Sequence, residues 1–147
     1  MRSIIQFSGS FALIVGALFA LGSCDKVSTK SVEKTVEDGT WRITYFSEDG
    51  SVETADYSAY TFDFAADGTV SATNGTTTIA GTWSIKDDNS NDDSSSDVDF
   101  NLVFPTTNNF DDLNDDWDIV TKTDNTIELK DVSGGNGGTD LLTFTKI

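Results

Sequence analysis

From residue 39 onward, apolar side chains recur at every second position in short runs separated by turn-forming residues. That period places alternate residues on one buried face of a β-strand. Eight runs carry it. Trp41, Ile43 and Tyr45 alternate in the first, and Tyr60, Phe62 and Phe64 in the second, which Asp67-Gly68 closes. Val70 and Ala72 form the third, before Asn74-Gly75, and Ile79, Gly81, Trp83 and Ile85 the fourth. Both dipeptides are hairpin turn signals. Val98, Phe100, Leu102 and Phe104 make the fifth run, ended by Pro105, which has no ladder hydrogen to donate. Trp117 and Ile119 mark the sixth, Ile127 and Leu129 the seventh, and Leu142 and Phe144 the eighth; only Phe110 to Leu113 reads as a helical turn. Successive strands with short connections predict an all-β fold, an eight-stranded antiparallel up-and-down meander closed into a barrel. A two-sheet β-sandwich is the alternative.

The chain before the first run has a different character. Arg2 precedes an uncharged apolar run from Phe11 to Leu21, the layout of a secretory signal. Leu21-Gly22-Ser23-Cys24 resembles a bacterial lipobox, in which the cysteine thiol takes a diacylglyceryl group and becomes the new N-terminus. The expected organisation is therefore a signal peptide over 1–23, a lipidated Cys24 with a flexible tether over 24–38, and the barrel over 39–147. The tether reading rests on scattered valines and lysines and a lack of aromatic residues. Several acyl chains on one terminus imply stable membrane anchoring.

Gly39-Thr40-Trp41 opening the first strand of an eight-stranded meander resembles the lipocalin signature, and Gly39 and Trp41 are the matching positions. The arrangement is more similar to the lipocalin-like domains of small secreted lipoproteins in Gram-negative bacteria. The residues that carry this likeness are Cys24, Trp41, Asp67-Gly68, Gly81-Thr82-Trp83 and Asn114-Asp115-Asp116-Trp117. The resemblance implies structural roles for Gly39, Trp41, Gly81, Trp83 and Trp117. It also implies a place in the cell envelope, with the outer membrane favoured over the inner.

Composition narrows the chemistry. The 147 residues hold 25 acids against 9 Lys and Arg, a formal charge of -16, with no histidine and one cysteine. Such a balance disfavours a nucleic-acid partner, because binding phosphate backbones relies on cations. No imidazole base, histidine zinc site or internal disulfide can be built. Residues 87–118 carry 11 aspartates and no Lys or Arg. A solvated acidic face is the reading adopted for them; the residues at which calcium would bind are Asp87, Asn89 and Asn91 or Asp112, Asn114 and Asp116, but neither set completes an EF-hand pattern. Nothing in the spacing marks a pair of catalytic carboxyls, so no catalytic residue, enzymatic activity or cofactor is expected. Aromatics on the inner face mostly fill the core, and Tyr45, Tyr60, Phe62, Phe100 and Phe104 are the expected lining of a shallow pocket for a small hydrophobic ligand. The expectation is a membrane-anchored, non-enzymatic binding or accessory module for a small molecule. The alternative is a structural partner that docks a basic protein surface through its acidic loops.

Overall fold

A computed structural model describes residues 28–87, 98–132 and 138–147. In chain order the elements are α1 (Thr29–Glu37), β1 (Thr40–Glu48), β2 (Ser51–Val52), a 3-10 turn (Thr54–Tyr57), β3 (Thr61–Phe64), β4 (Thr69–Thr73), β5 (Thr78–Asp87), β6 (Val98–Val103), a second 3-10 turn (Phe110–Leu113), β7 (Asp115–Lys122), β8 (Thr126–Val132) and β9 (Thr139–Lys146). Every strand pairs antiparallel with its neighbours, and β1 pairs with both β3 and β9, which closes an eight-stranded barrel. Closure removes the open edges that would invite pairing with other chains. The ninth strand, β2, is a two-residue addition paired with the end of β1.

The registers put the predicted apolar positions opposite one another on the inside. Ile43 faces Phe144, which faces Ile127, and Trp83 faces Leu102, while Phe100 faces Trp117. Outward positions carry Arg42, Lys86, Asp118, Glu128 and Lys130, and Lys130 pairs with Asp118 at 3.6 Å. Polar outside and aromatic inside is the reverse of a barrel that faces lipid. No helix among the described residues is long and apolar enough to cross a membrane.

Two departures from the sequence expectation have simple causes. The segment expected to be a flexible tether is helical over Thr29–Glu37. Ser28 caps it by accepting the Ser31 N–H on its side-chain oxygen, and Val32 and Val36, one turn apart, are fully buried on the barrel floor. A nine-residue helix is unstable alone, so its existence depends on that floor, where each valine contributes about 2 kcal/mol. The second departure is Tyr45. The β1–β9 register slips between Ile43 and Tyr45, so the inward series continues at Phe46, fully buried, and Tyr45 is left 38% exposed. A β-bulge inserts one residue and moves every later side chain to the opposite face.

All three tryptophans use their ring N–H to pin an irregular segment to the wall. Trp41 donates to the Val36 carbonyl at the end of α1 (2.8 Å), Trp83 to Ala65 in the β3–β4 turn (2.9 Å), and Trp117 to Leu113 in the second 3-10 turn (3.1 Å). The two Gly-Thr-Trp copies need glycine for different reasons. Gly39 has φ +104°, turning the chain from α1 into β1. Gly81 lies under the next strand, where an added Cβ would sit 2.5 Å from the Val103 carbonyl oxygen and 2.7 Å from Phe104 Cδ1.

Candidate functional site

The sequence expectation is a core crowded by aromatic rings with a shallow pocket at the barrel mouth, and aromatic rings pack through the interior. Phe62 packs against Phe104 and Phe144 with ring centroids 6.3 and 5.4 Å apart, and Phe100 packs against Phe64 and Phe144 at 5.6 and 6.3 Å. Phe62, Phe100 and Phe104 are buried, Tyr60 is half-buried, and Tyr45 lies on the exposed side, so the five expected lining residues do not surround a common space. α1 covers one end of the barrel. Tyr57, Phe110 and Leu113 from the two 3-10 turns cover the other: Tyr57 packs edge-on against Phe46 and Phe110, and its hydroxyl donates to the Asn109 carbonyl at 2.6 Å. Those residues escape a period-two reading, because Phe46 lies past a bulge and Tyr57 and Phe110 lie outside strands.

Around this aromatic cap stands a crown of carboxylates. Glu48 ends β1, Asp140 begins the inner face of β9, Asp131 pairs with Asp140 from β8, and Asp115 begins β7. Glu53 immediately precedes the first 3-10 turn, and Asp112 lies within the second. Carboxylate oxygens of Glu48, Glu53 and Asp112 lie within 4.8 Å of one another. Asp140 is tied in place by the Asp49 N–H at 2.7 Å.

The electrostatics show the crowding. Desolvation raises the Glu48 carboxyl above its usual value, reinforced by Asp112, Glu53, Asp140 and Asp49. Desolvation also raises Asp112, reinforced by Asp111, Glu53 and Asp56. Asp115 rises to about 6, chiefly through desolvation, with Asp131 and Asp116 adding to it. The Tyr57 hydroxyl beneath is pushed well above its usual value by burial and by the same carboxylates. Such a group of oxygens can hold a hard cation or form ion pairs with basic side chains.

Of the two calcium sets, only Asp112, Asn114 and Asp116 lie wholly among the described residues, and they are engaged in different places. Asp112 joins the crown, but the Asn114 amide is engaged by Phe104, donating to its carbonyl at 2.9 Å and accepting its N–H. Asp116 is exposed on the outer face, opposite Asn101. Asp87 is exposed at the end of β5; Asn89 and Asn91, like Cys24, lie outside the described residues. Among the described residues of the acidic stretch, Asp87 lies at the α1 end of the barrel and Asp112 and Asp115 at the crown. Strand β6 runs between these two ends.

The fold and its contents define a small closed antiparallel β-barrel with a filled interior and a helix across one end. The chain is similar in fold to a DUF4847 family protein from Bacteroides vulgatus ATCC 8482, known from a crystal structure at 1.00 Å resolution, with a TM-score of 0.50 and 20% sequence identity over 78% of this chain and 96% of that one. No family model matches the sequence, and no curated protein matches it either.

Proposed function

We propose that the protein is a non-enzymatic, lipid-anchored barrel of the cell envelope whose acidic crown docks a basic protein surface. The observation that carries this reading is the convergence of Glu48, Glu53, Asp112, Asp115, Asp131 and Asp140 around one aromatic-capped end. A filled interior favours this reading over a small hydrophobic ligand inside the barrel. Lipidation of Cys24, four residues before the helix cap, supports an orientation in which the α1 end lies next to the membrane and the crown points away from it. The outer membrane remains the favoured site of anchoring. Loss of palmitate labelling on Cys24→Ser tests the anchor.

Docking is tested with an oligolysine peptide. Neutralising three crown acids (Glu48→Gln, Glu53→Gln, Asp112→Asn) should weaken binding roughly tenfold, at about 0.5 kcal/mol per exposed ion pair. A control with the same charge change elsewhere (Glu33→Gln, Glu37→Gln, Glu128→Gln) should change it little. Equal loss in the two variants would reduce the interaction to net charge and refute a crown-specific site.

A further inference from the structure

The opposite end of the barrel gathers cations. The described residues include seven Lys and Arg, and three of them, Lys34, Lys122 and Lys146, line one hollow of about 260 Å³ between α1 and the β7–β8 turn. Ser31, Thr35, Asp38 and Asp124 complete its lining. In a chain with 25 acids and 9 basic residues this clustering is unexpected from composition alone. The helix sorts its charges. Glu33 and Glu37 border a separate hollow against Asp67, Gly68 and Trp83, while Ser31, Lys34, Thr35 and Asp38 border this one.

Two of the three lysines are already held. Lys122 donates from Nζ to Ser31 Oγ at 2.7 Å. Lys146 stands over the Trp41 ring, 5.1 Å from its centroid, and pairs with Asp38 at 3.3 Å. The Asp38 carboxylate is therefore matched by Lys146, leaving Lys34 and Lys122 against Asp124. An ammonium group has three donors, and the Ser31 hydroxyl satisfies only one on Lys122. A tetrahedral phosphate anion, as a singly charged diester or as free phosphate, complements this set through its acceptor oxygens, because charge-assisted bonds to lysine are strong and the ordering cost of the side chains is already partly met.

We propose that the hollow lined by Ser31, Lys34, Lys122 and Lys146 binds a phosphate group, supplied by the headgroups of the membrane in which the chain is anchored. The phosphate chemistry stands on the hollow alone; the headgroup as its source rests on the anchoring reading above. From Cys24 to the Ser28 cap the chain can span at most about 14 Å, so a lipid on Cys24 would hold α1 within reach of the headgroup layer.

The test uses residues 24–147, which contain every described element, with Cys24→Ser so that no acyl chain is present. Inorganic phosphate is titrated while the backbone amides of Ser31 and Thr35 are followed by NMR, with chloride at matched ionic strength as the control. Saturable shifts with phosphate and not with chloride are expected, weakened at least roughly tenfold in Lys34→Ala/Lys122→Ala. Lys86→Ala, on the outer face of β5, should leave them unchanged. Lys122→Gln keeps a donor for Ser31 without the charge, and it should lose phosphate while retaining the native spectrum. In the second arm, sedimentation with phosphatidylglycerol vesicles but not phosphatidylcholine vesicles, lost in the double variant, assigns lipid headgroups as the source. Phosphate binding without vesicle binding upholds the hollow and assigns free phosphate instead. Shifts shared with chloride, or unweakened in the double variant, overturn the proposal. Because no acyl group takes part, such a failure leaves the lipidation of Cys24 to its own labelling test.

Discussion

Replacing Trp41 by phenylalanine removes one hydrogen bond and part of one ring from the joint between α1 and the barrel. The Trp41 side chain is fully buried, and its ring N–H reaches the Val36 carbonyl at 2.8 Å. Phenylalanine leaves that carbonyl buried without its donor, at about 2 kcal/mol, and the smaller ring leaves a void worth about 1 kcal/mol more. Weaker attraction for the Lys146 ammonium above the ring adds a few tenths. A total of about 3 kcal/mol corresponds to a fall in Tm of about 12 °C for a domain of this size. Thermal unfolding by circular dichroism measures the total. Native-state hydrogen exchange locates it: amides of α1 should exchange faster by local opening while those of β4 to β6 follow only the global change. If Tm falls by less than about 3 °C and α1 protection is unchanged, the helix is not held by this tryptophan and the account of the barrel floor is wrong.

Gly81→Ala places a methyl group against the Val103 carbonyl oxygen and the Phe104 ring; because a backbone atom must move, a loss of about 2 to 3 kcal/mol is expected by urea titration, and a neutral result would mean β5 and β6 are free to separate there. Stability should also rise on acidification from neutral pH to about 5. Asp115 is raised to about 6, so the folded state binds more protons than the unfolded state between the unfolded value near 3.8 and 6, and the stability associated with the protonated form is lost as pH rises through 6. Glu48 and Asp112 are shifted in the same direction. After allowance for solvent screening the Asp115 contribution is about 1 kcal/mol, or a Tm higher by about 4 °C at pH 5 than at pH 7. Asp115→Asn should flatten that dependence, and a Tm that falls from pH 7 to pH 5 would contradict the sign.

The barrel was legible because its determinants are local. Trp41, Ile43, Phe62, Phe64, Val70, Ala72, Trp83, Ile85, Phe100, Leu102, Ile119, Ile127, Leu129 and Phe144 all fall on the buried face that period two assigns to them. Pro105 follows the end of β6, and the helical turn expected at Phe110 to Leu113 is a 3-10 turn. Tyr45 and Phe46 exchange faces because a single extra residue in β1 is invisible to a pattern that assumes constant pairing. The α1 helix was hidden for another reason: Val32 and Val36 are only two apolar residues in nine, too few to read as a helix until a surface exists for them to cover.

The candidate sites depended almost wholly on three-dimensional placement. Acidic residues were conspicuous along residues 87–118, yet the crown takes Asp112 and Asp115 from that stretch and joins them to Glu48, Glu53, Asp131 and Asp140 from outside it. Lys34, Lys122 and Lys146 are likewise far apart in sequence and share one hollow. Alternation along a strand is a property of one short segment, so the order of residues alone determined the antiparallel meander and its aromatic inner face. Which strand ends share a rim, which end α1 covers, and how charges divide between the two ends are set by barrel closure through the β1–β9 pairing. Only the folded chain could decide them, because electrostatic interaction depends on distance in space and not on separation along the backbone.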